Sequence, residues 1–292
     1  TTKFFDHVPG EKARQDVFEG VNTTWERLGE ATKNIEQKIQ DIQKKYNINH
    51  PESSIKELVE LHGLIKALKP SVYRDQKLKD LEDIILSCAG IVVESIASQP
   101  NYVIGQSFNV TNEIIKRASE SDVKLISIDG KSINESIPAN ETKKYPSQKS
   151  ADHWTQPYWL EKPNSLGKFD IEEKNFGYPE NTDNPSTKFV LTVDGLQLEV
   201  EKPVEFRFVD PVDGEVYQPI SVSPALTASI SSSQALLKTG DKKTISLTIK
   251  NNSNNIQTGE LTFNQSDGLQ ISPNKIEFEI PAGQSVLKSF EI

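Results

Sequence analysis

The sequence predicts an α+β multidomain chain: an N-terminal antiparallel helical bundle followed by two Ig-like antiparallel β-sandwiches. Three observations carry that reading. Apolar residues recur at helical spacing up to about residue 100, and after Pro100 the period changes from 3.6 to 2. Short alternating segments then follow one another between Gly, Asn, Asp and Pro clusters. A chain of 292 residues has room for two or three domains at about 100–200 residues each.

Residues 1–28 carry Phe4, Phe5, Phe18 and Trp25 without a helical or strand period, so they read as an extended leading segment. Residues 29–100 read as a three-helix bundle. Ile35, Ile39, Ile42 and Tyr46 fall on one helix face. Ser54 and Glu57 form a capping-box pattern ahead of a second face made by Ile55, Leu58, Val59, His62, Ile65 and Leu68, which Pro70 stops. Leu78, Leu81, Ile84, Ile85, Cys88, Ile91, Val92 and Ile96 predict a third helix that ends near Pro100. The short connections predict antiparallel neighbours.

Residues 101–218 read as a first β-sandwich whose long loop carries the aromatic stretch HWTQPYWLEKP. SFNVTNEIIKR and VKLISI are read as partner strands, with KFVLTV and LQLEVEKPVEFRFVD completing the unit. Residues 219–292, with KTISLTIKN, GELTFN and KIEFEI, read as the second sandwich, and the transition is placed within residues 213–226. An internal echo supports two similar units. Gly105 and Gly240 each precede apolar residues five and nine positions on, Val110 with Ile114 and Ile245 with Ile249.

Composition narrows the partners. A net charge of −9 opposes a nucleic-acid or anionic-membrane partner, and no apolar run approaches the roughly 20 residues of a membrane span. The lone Cys88 excludes an internal disulfide. With no methionine or leader at its start, the chain reads as a piece of a longer protein.

Catalytic signatures are absent from the sequence. His7, His50, His62 and His153 include no pair at the four-residue spacing that presents two imidazoles to one metal. His62 reads as a core histidine and Cys88 as a small buried hydrophobe. The DPVDGE stretch, with Asp210, Asp213 and Glu215, lacks the alternate ligands of an EF-type calcium loop and reads as a turn. Six Asn-x-Ser/Thr sequons, at Asn22, Asn109, Asn134, Asn140, Asn251 and Asn264, carry little weight in so Asn-rich a chain. Trp154, Tyr158 and Trp159 supply the ingredients of a sugar-stacking surface. Gln156-Pro157 fixes an extended or turn conformation, and large aromatics also serve to tie down a loop, so a structural clip is the stronger reading.

Three phrases together carry a family resemblance: FFDHVPGEKARQDVFEGVNTTWERL, TQPYWLEKP with the following Gly167 and Phe169, and FRFVDPVDGEVYQPISVSP. They resemble the non-catalytic region of large bacterial LmbE-like (PIG-L family) N-acetylglucosaminyl deacetylases. In that family a zinc deacetylase domain precedes a helical segment and β-sandwich modules. The family's Pro-His-Pro-Asp-Asp stretch does not occur here; His50-Pro51 is followed by Glu52 and Ser53. The resemblance therefore implies no catalytic or metal residue and no cofactor in this chain, with zinc expected in an upstream domain of the same polypeptide. It implies an exported accessory region that links and positions that deacetylase domain, with a glycan as a further partner. The alternative is a carbohydrate-binding module that uses Trp154, Tyr158 and Trp159. A third class is a hydrolase assembled from scattered carboxylates.

Overall fold

The structure, a computed structural model, describes residues 18–29, 32–179, 181, 184–264 and 268–292. Most of the expected leading segment, including Phe4, Phe5 and His7, lies outside these residues. Three helices come first: α1 (Lys33–Lys45), α2 (Ile55–Lys66) and α3 (Val72–Cys88). Strands follow as β1 (Ile91–Ala97), β2 (Asn101–Val103), β3 (Ser107–Lys116), β4 (Val123–Ile128), β5 (Lys131–Ser136), β6 (Lys143–Ser150), β7 (Ser186–Val193) and β8 (Leu196–Pro203). The rest are β9 (Glu205–Asp210), β10 (Gly214–Pro219), β11 (Ser221–Ser223), β12 (Leu226–Ile230), β13 (Thr244–Asn251), β14 (Gln257–Thr262), β15 (Lys275–Ile280) and β16 (Ser285–Glu291). The chain is thus a strand-rich α+β fold. No helix among the described residues is long and apolar enough to cross a membrane.

A five-stranded sheet in the order β10-β9-β1-β3-β6 faces a four-stranded sheet in the order β5-β4-β7-β8. The helices pack on this sandwich and share its core. Ile35 of α1, Ile55 and Ile65 of α2 and Ile85 of α3 belong to the same buried cluster as Val93, Ile114, Leu125 and Phe189. Each side chain of that size contributes about 1.5–3 kcal/mol when fully removed from water, which far outweighs the exposed ion pairs between the helices. His62 is buried within the helical layer, with Nε2 3.2 Å from a Glu82 carboxylate oxygen on α3.

The third helix stops eight residues earlier than its apolar stripe continues. After Cys88 the chain turns through Ala89 and Gly90, whose φ of +61° is a conformation that side-chain-bearing residues rarely adopt. The β-branched Ile91, Val92 and Val93 then enter β1. The capping box also fails to form. A 3-10 turn over Pro51–Ser54 leads into α2, Ser54 makes no side-chain cap, and Glu57 instead pairs with Lys45 at 2.8 Å. Ser71 is the cap that does form, accepting the Arg74 N–H at 3.1 Å.

VKLISI is a strand, but it does not pair with SFNVTNEIIKR. Both edges of β3 are occupied, by β1 and β6, so β4 crosses to the opposite sheet and buries Val123, Leu125 and Ile128 there. The echo between Gly105 and Gly240 has a structural counterpart. The residues it aligns lie on β3 and β13, each flanked by a strand on both sides, and Val110, Ile114, Ile245 and Ile249 are all buried.

A second cluster, with Tyr102 stacked on Phe108 at 4.3 Å, closes the far end of the sandwich and takes in Ile220 and Val222. Residues 219–223 therefore pack with the first β unit, where β11 runs parallel to β2. The last unit begins after Ser223. Its sheets, β12-β13-β16 and β14-β15, enclose a third cluster made by Ile245, Leu247, Ile249, Ile276, Ile280 and Phe290.

Candidate binding cleft

The connection from β6 to β7 spans residues 151–185 and contains the aromatic stretch. Two anchors hold it. Ala151 is fully buried, its N–H donating to the Gln106 carbonyl, and Thr155 donates its N–H to the Val222 carbonyl at 2.8 Å. Val222 returns the bond, its N–H reaching Thr155 Oγ1 at 3.0 Å. Between the anchors His153 and Trp154 face outward.

Beyond Thr155 the chain folds into a 3-10 turn over Tyr158–Leu160, which Pro157 opens. Asn181 holds this turn from a distant point of the same connection. Its Oδ1 accepts the Tyr158 N–H at 2.9 Å and its Nδ2 donates to the Gln156 carbonyl. The Tyr158 hydroxyl donates to the Tyr178 carbonyl at 2.8 Å. The Trp159 ring meets the Tyr158 ring edge-on at 5.0 Å. Both rings are half-buried.

The three predicted residues differ in setting. Tyr158 is bonded to the Tyr178 carbonyl and Trp159 lies edge-on against Tyr158, whereas Trp154 is 50% exposed and lines a cleft of about 800 Å³ with His153, Gln156, Glu161, Asn181 and Asn184. Asn181, Asn184 and Ser186 escaped the sequence reading because they arrive from the far end of the loop. No periodicity or motif marks them.

Other candidates have structural partners. Asp210 Oδ1 accepts the N–H groups of Val212 and Asp213 at 2.8 and 3.0 Å, closing the turn between β9 and β10. These two bonds hold its carboxyl below the ordinary carboxylate range. Cys88 is buried, and that burial raises its thiol pKa, with the Glu52 carboxylate adding to the shift. His50 Nδ1 lies 3.2 Å from Glu52 Oε1 at the start of the 3-10 turn before α2. Among the described residues no group of three or more His, Cys, Asp and Glu is placed to hold a metal. The sequon residue Asn251 is fully buried, its Nδ2 directed to the Asn255 and Ile280 carbonyls at 2.7 and 2.9 Å.

No protein-family model matches the chain, and no curated protein matches it. Among solved structures the chain is similar to the Pseudomonas fluorescens alkylpurine DNA glycosylase AlkC bound to DNA containing an abasic site analog. The likeness has 8% identity and a TM-score of 0.17, over 55% of this chain and 48% of that one. The chain spans about half the length of that protein, and a similarity this slight carries no argument about fold or activity.

Proposed function

We propose that the chain is a non-catalytic accessory region that links and positions the zinc-dependent de-N-acetylase domain of an exported LmbE-like (PIG-L family) protein acting on N-acetylglucosamine-containing substrates. Its helical segment is read as a bundle and its two β units as Ig-like modules. One observation carries this reading: the helices and the first sandwich share a single buried core, which is the construction of a stiff spacer. The phrases that resemble the family point to the upstream domain of the same polypeptide as the spacer's partner. The test is an assay of the purified chain for zinc-dependent release of acetate from N-acetylglucosaminides. The expected result is no release, and release above that of a zinc-free control overturns the reading.

The exposure of Trp154 favours a second reading, weak glycan contact in the cleft. A half-exposed indole beside carboxamides offers a stacking face with hydrogen-bonding groups at its rim. On this reading the contact is Trp154, while Tyr158 and Trp159 hold the loop that presents it. Titration with N-acetylglucosamine oligomers, comparing the native chain with Trp154→Ala, tests it. Equal binding by the two proteins excludes Trp154 as the contact.

A further inference from the structure

The Trp154 cleft is one end of a longer feature. It shares His153 and Ser186 with a neighbouring cavity of about 410 Å³, and that cavity shares Asp129 and Gln148 with a third of about 450 Å³. Together they follow the open side of the sandwich, where β6 ends the five-stranded sheet and the β4–β5 hairpin ends the four-stranded one. One wall is continuous chain, residues 145–156. Its strand portion, from Tyr145 to Ser150, spans about 17 Å at roughly 3.3 Å per residue. The opposite wall is made by the β4–β5 turn and the start of β7.

The chemistry along this seam is polar and mixed in sign. Asp129 and Lys149 bridge the two walls as an ion pair at 2.7 Å, Lys131 supplies a further positive charge, and Asp152 and Glu161 supply negative ones. No stretch of one sign favours an ionic polymer. Gln156 and Asn184 add amides beside Trp154, exposed Lys131 lines the third cavity, and half-buried Tyr145, its hydroxyl donating to a Glu135 carboxylate oxygen at 2.9 Å, borders the same end. Hydroxyl-rich rings match such a surface, since amides both donate and accept and aromatic faces stack on sugar C–H groups. A peptide strand adding to the free edge of β6 fits poorly. Pro146 removes a backbone donor within that strand, and Lys149 reaches across from it to Asp129.

We propose that this seam binds an extended, uncharged polysaccharide along β6, with Trp154 stacking one sugar and Lys131 and Tyr145 contacting sugars further along. The proposal rests on the second reading above and adds that the ligand is a chain rather than a terminal sugar. The test is calorimetric titration of the full chain with N-acetylglucosamine dimer and hexamer, and in parallel with glucose oligomers of the same lengths. The hexamer is expected to bind about tenfold or more tighter than the dimer for at least one series. Trp154→Ala is expected to weaken both lengths. Lys131→Ala, an exposed substitution, is expected to weaken the hexamer about threefold to tenfold and leave the dimer and the melting temperature unchanged. Dimer and hexamer binding equally, both lost in Trp154→Ala, would overturn the seam and leave the Trp154 contact standing. No binding in either series would overturn both.

Discussion

Ser95 and Asn112 face each other across the β1–β3 ladder, with Ser95 Oγ 2.6 Å from Asn112 Oδ1, and both are shut inside the sandwich. Ser95 Oγ also lies 2.5 Å from Thr187 Oγ1 of β7, on the opposing sheet. Its single proton goes to the Asn112 carbonyl oxygen, so Thr187 donates to Ser95. Asn112 Nδ2 continues the chain to Ser147 Oγ at 2.9 Å and to the Tyr145 carbonyl at 3.2 Å on β6. One polar node thus ties β1, β3, β6 and β7 together in an otherwise apolar interior.

Asn112→Ala breaks this node and strands buried hydroxyls. We expect a loss of about 1–3 kcal/mol for each polar group left unpaired, read from denaturant midpoints at constant m-value. Combining it with Ser95→Ala and Thr187→Val removes the stranded groups and is expected to recover part of the loss. A triple variant whose losses simply add would show that the three side chains act independently.

Gly90→Ala tests the helix-to-strand turn. At φ +61° a side chain is strained by about 1–2 kcal/mol, and the new Cβ would stand 2.7 Å from Arg117 Cβ. Gly130→Ala has the strain, at φ +76°, without any neighbour within 4 Å. Gly90→Ala is therefore expected to lower the melting temperature more than Gly130→Ala. Equal shifts would mean that Arg117 moves aside freely.

Stability and ligand contact separate within the aromatic loop. Asn181→Ala removes an acceptor from the Tyr158 N–H and a donor from the Gln156 carbonyl, and is expected to cost about 1–3 kcal/mol or to loosen the loop locally. Trp154→Ala touches neither bond and is expected to stay within about 0.5 kcal/mol of the native chain. Limited proteolysis between residues 153 and 181 reads the difference directly.

Cys88 gives a pH-dependent reporter. Burial raises its thiol above the ordinary 9.0, so the folded state holds that proton more tightly than the unfolded state. Its contribution to stability is fully present below pH 9.0 and is lost as the pH rises through the folded value. Thiol-directed reagents are expected to react slowly at neutral pH and fast once denaturant opens the helical layer. Rapid labelling of the folded chain at neutral pH would contradict the burial.

Asp210 has the opposite sign. Its carboxyl is held below the ordinary 3.8 by the Asp213 and Val212 N–H groups, so the turn is stabilised above pH 3.8 and loses that support as the pH falls through the folded value. Asp210→Asn keeps an acceptor oxygen but no charge. The stability difference between the two proteins is expected to be visible near neutrality and to vanish in strong acid.

The strands with alternating apolar residues were legible because one face of each is buried: KFVLTV lies within β7, KIEFEI is β15, and all of KTISLTIKN but its first lysine is β13. The end of α3 was not. Leu78 to Ile96 keeps apolar residues at helical spacing straight through the turn, and only Gly90 with the β-branched run after it marks the change. β6 was invisible for a different reason. KKYPSQKS has no apolar face to read, since Tyr145 is its lone large apolar side chain and the strand forms by edge pairing with β3. The seam inherits this blindness, because its walls come from β6, the β4–β5 turn and the start of β7, which only tertiary pairing brings together.

The two-residue passage from α3 into β1 has a mechanical consequence. Ala89 and Gly90 leave no slack, and Ile85 before them and Val93 after them sit in the same cluster. A load applied to the helices is delivered to the β1–β3 ladder without lost travel, and through Asn112 it reaches β6 and the seam. The unit after Ser223 has its own core and hangs from the chain at Pro224 and Ala225. The helices, the first sandwich and the groove thus share one core and one polar node, while the unit after Ser223 keeps a core of its own.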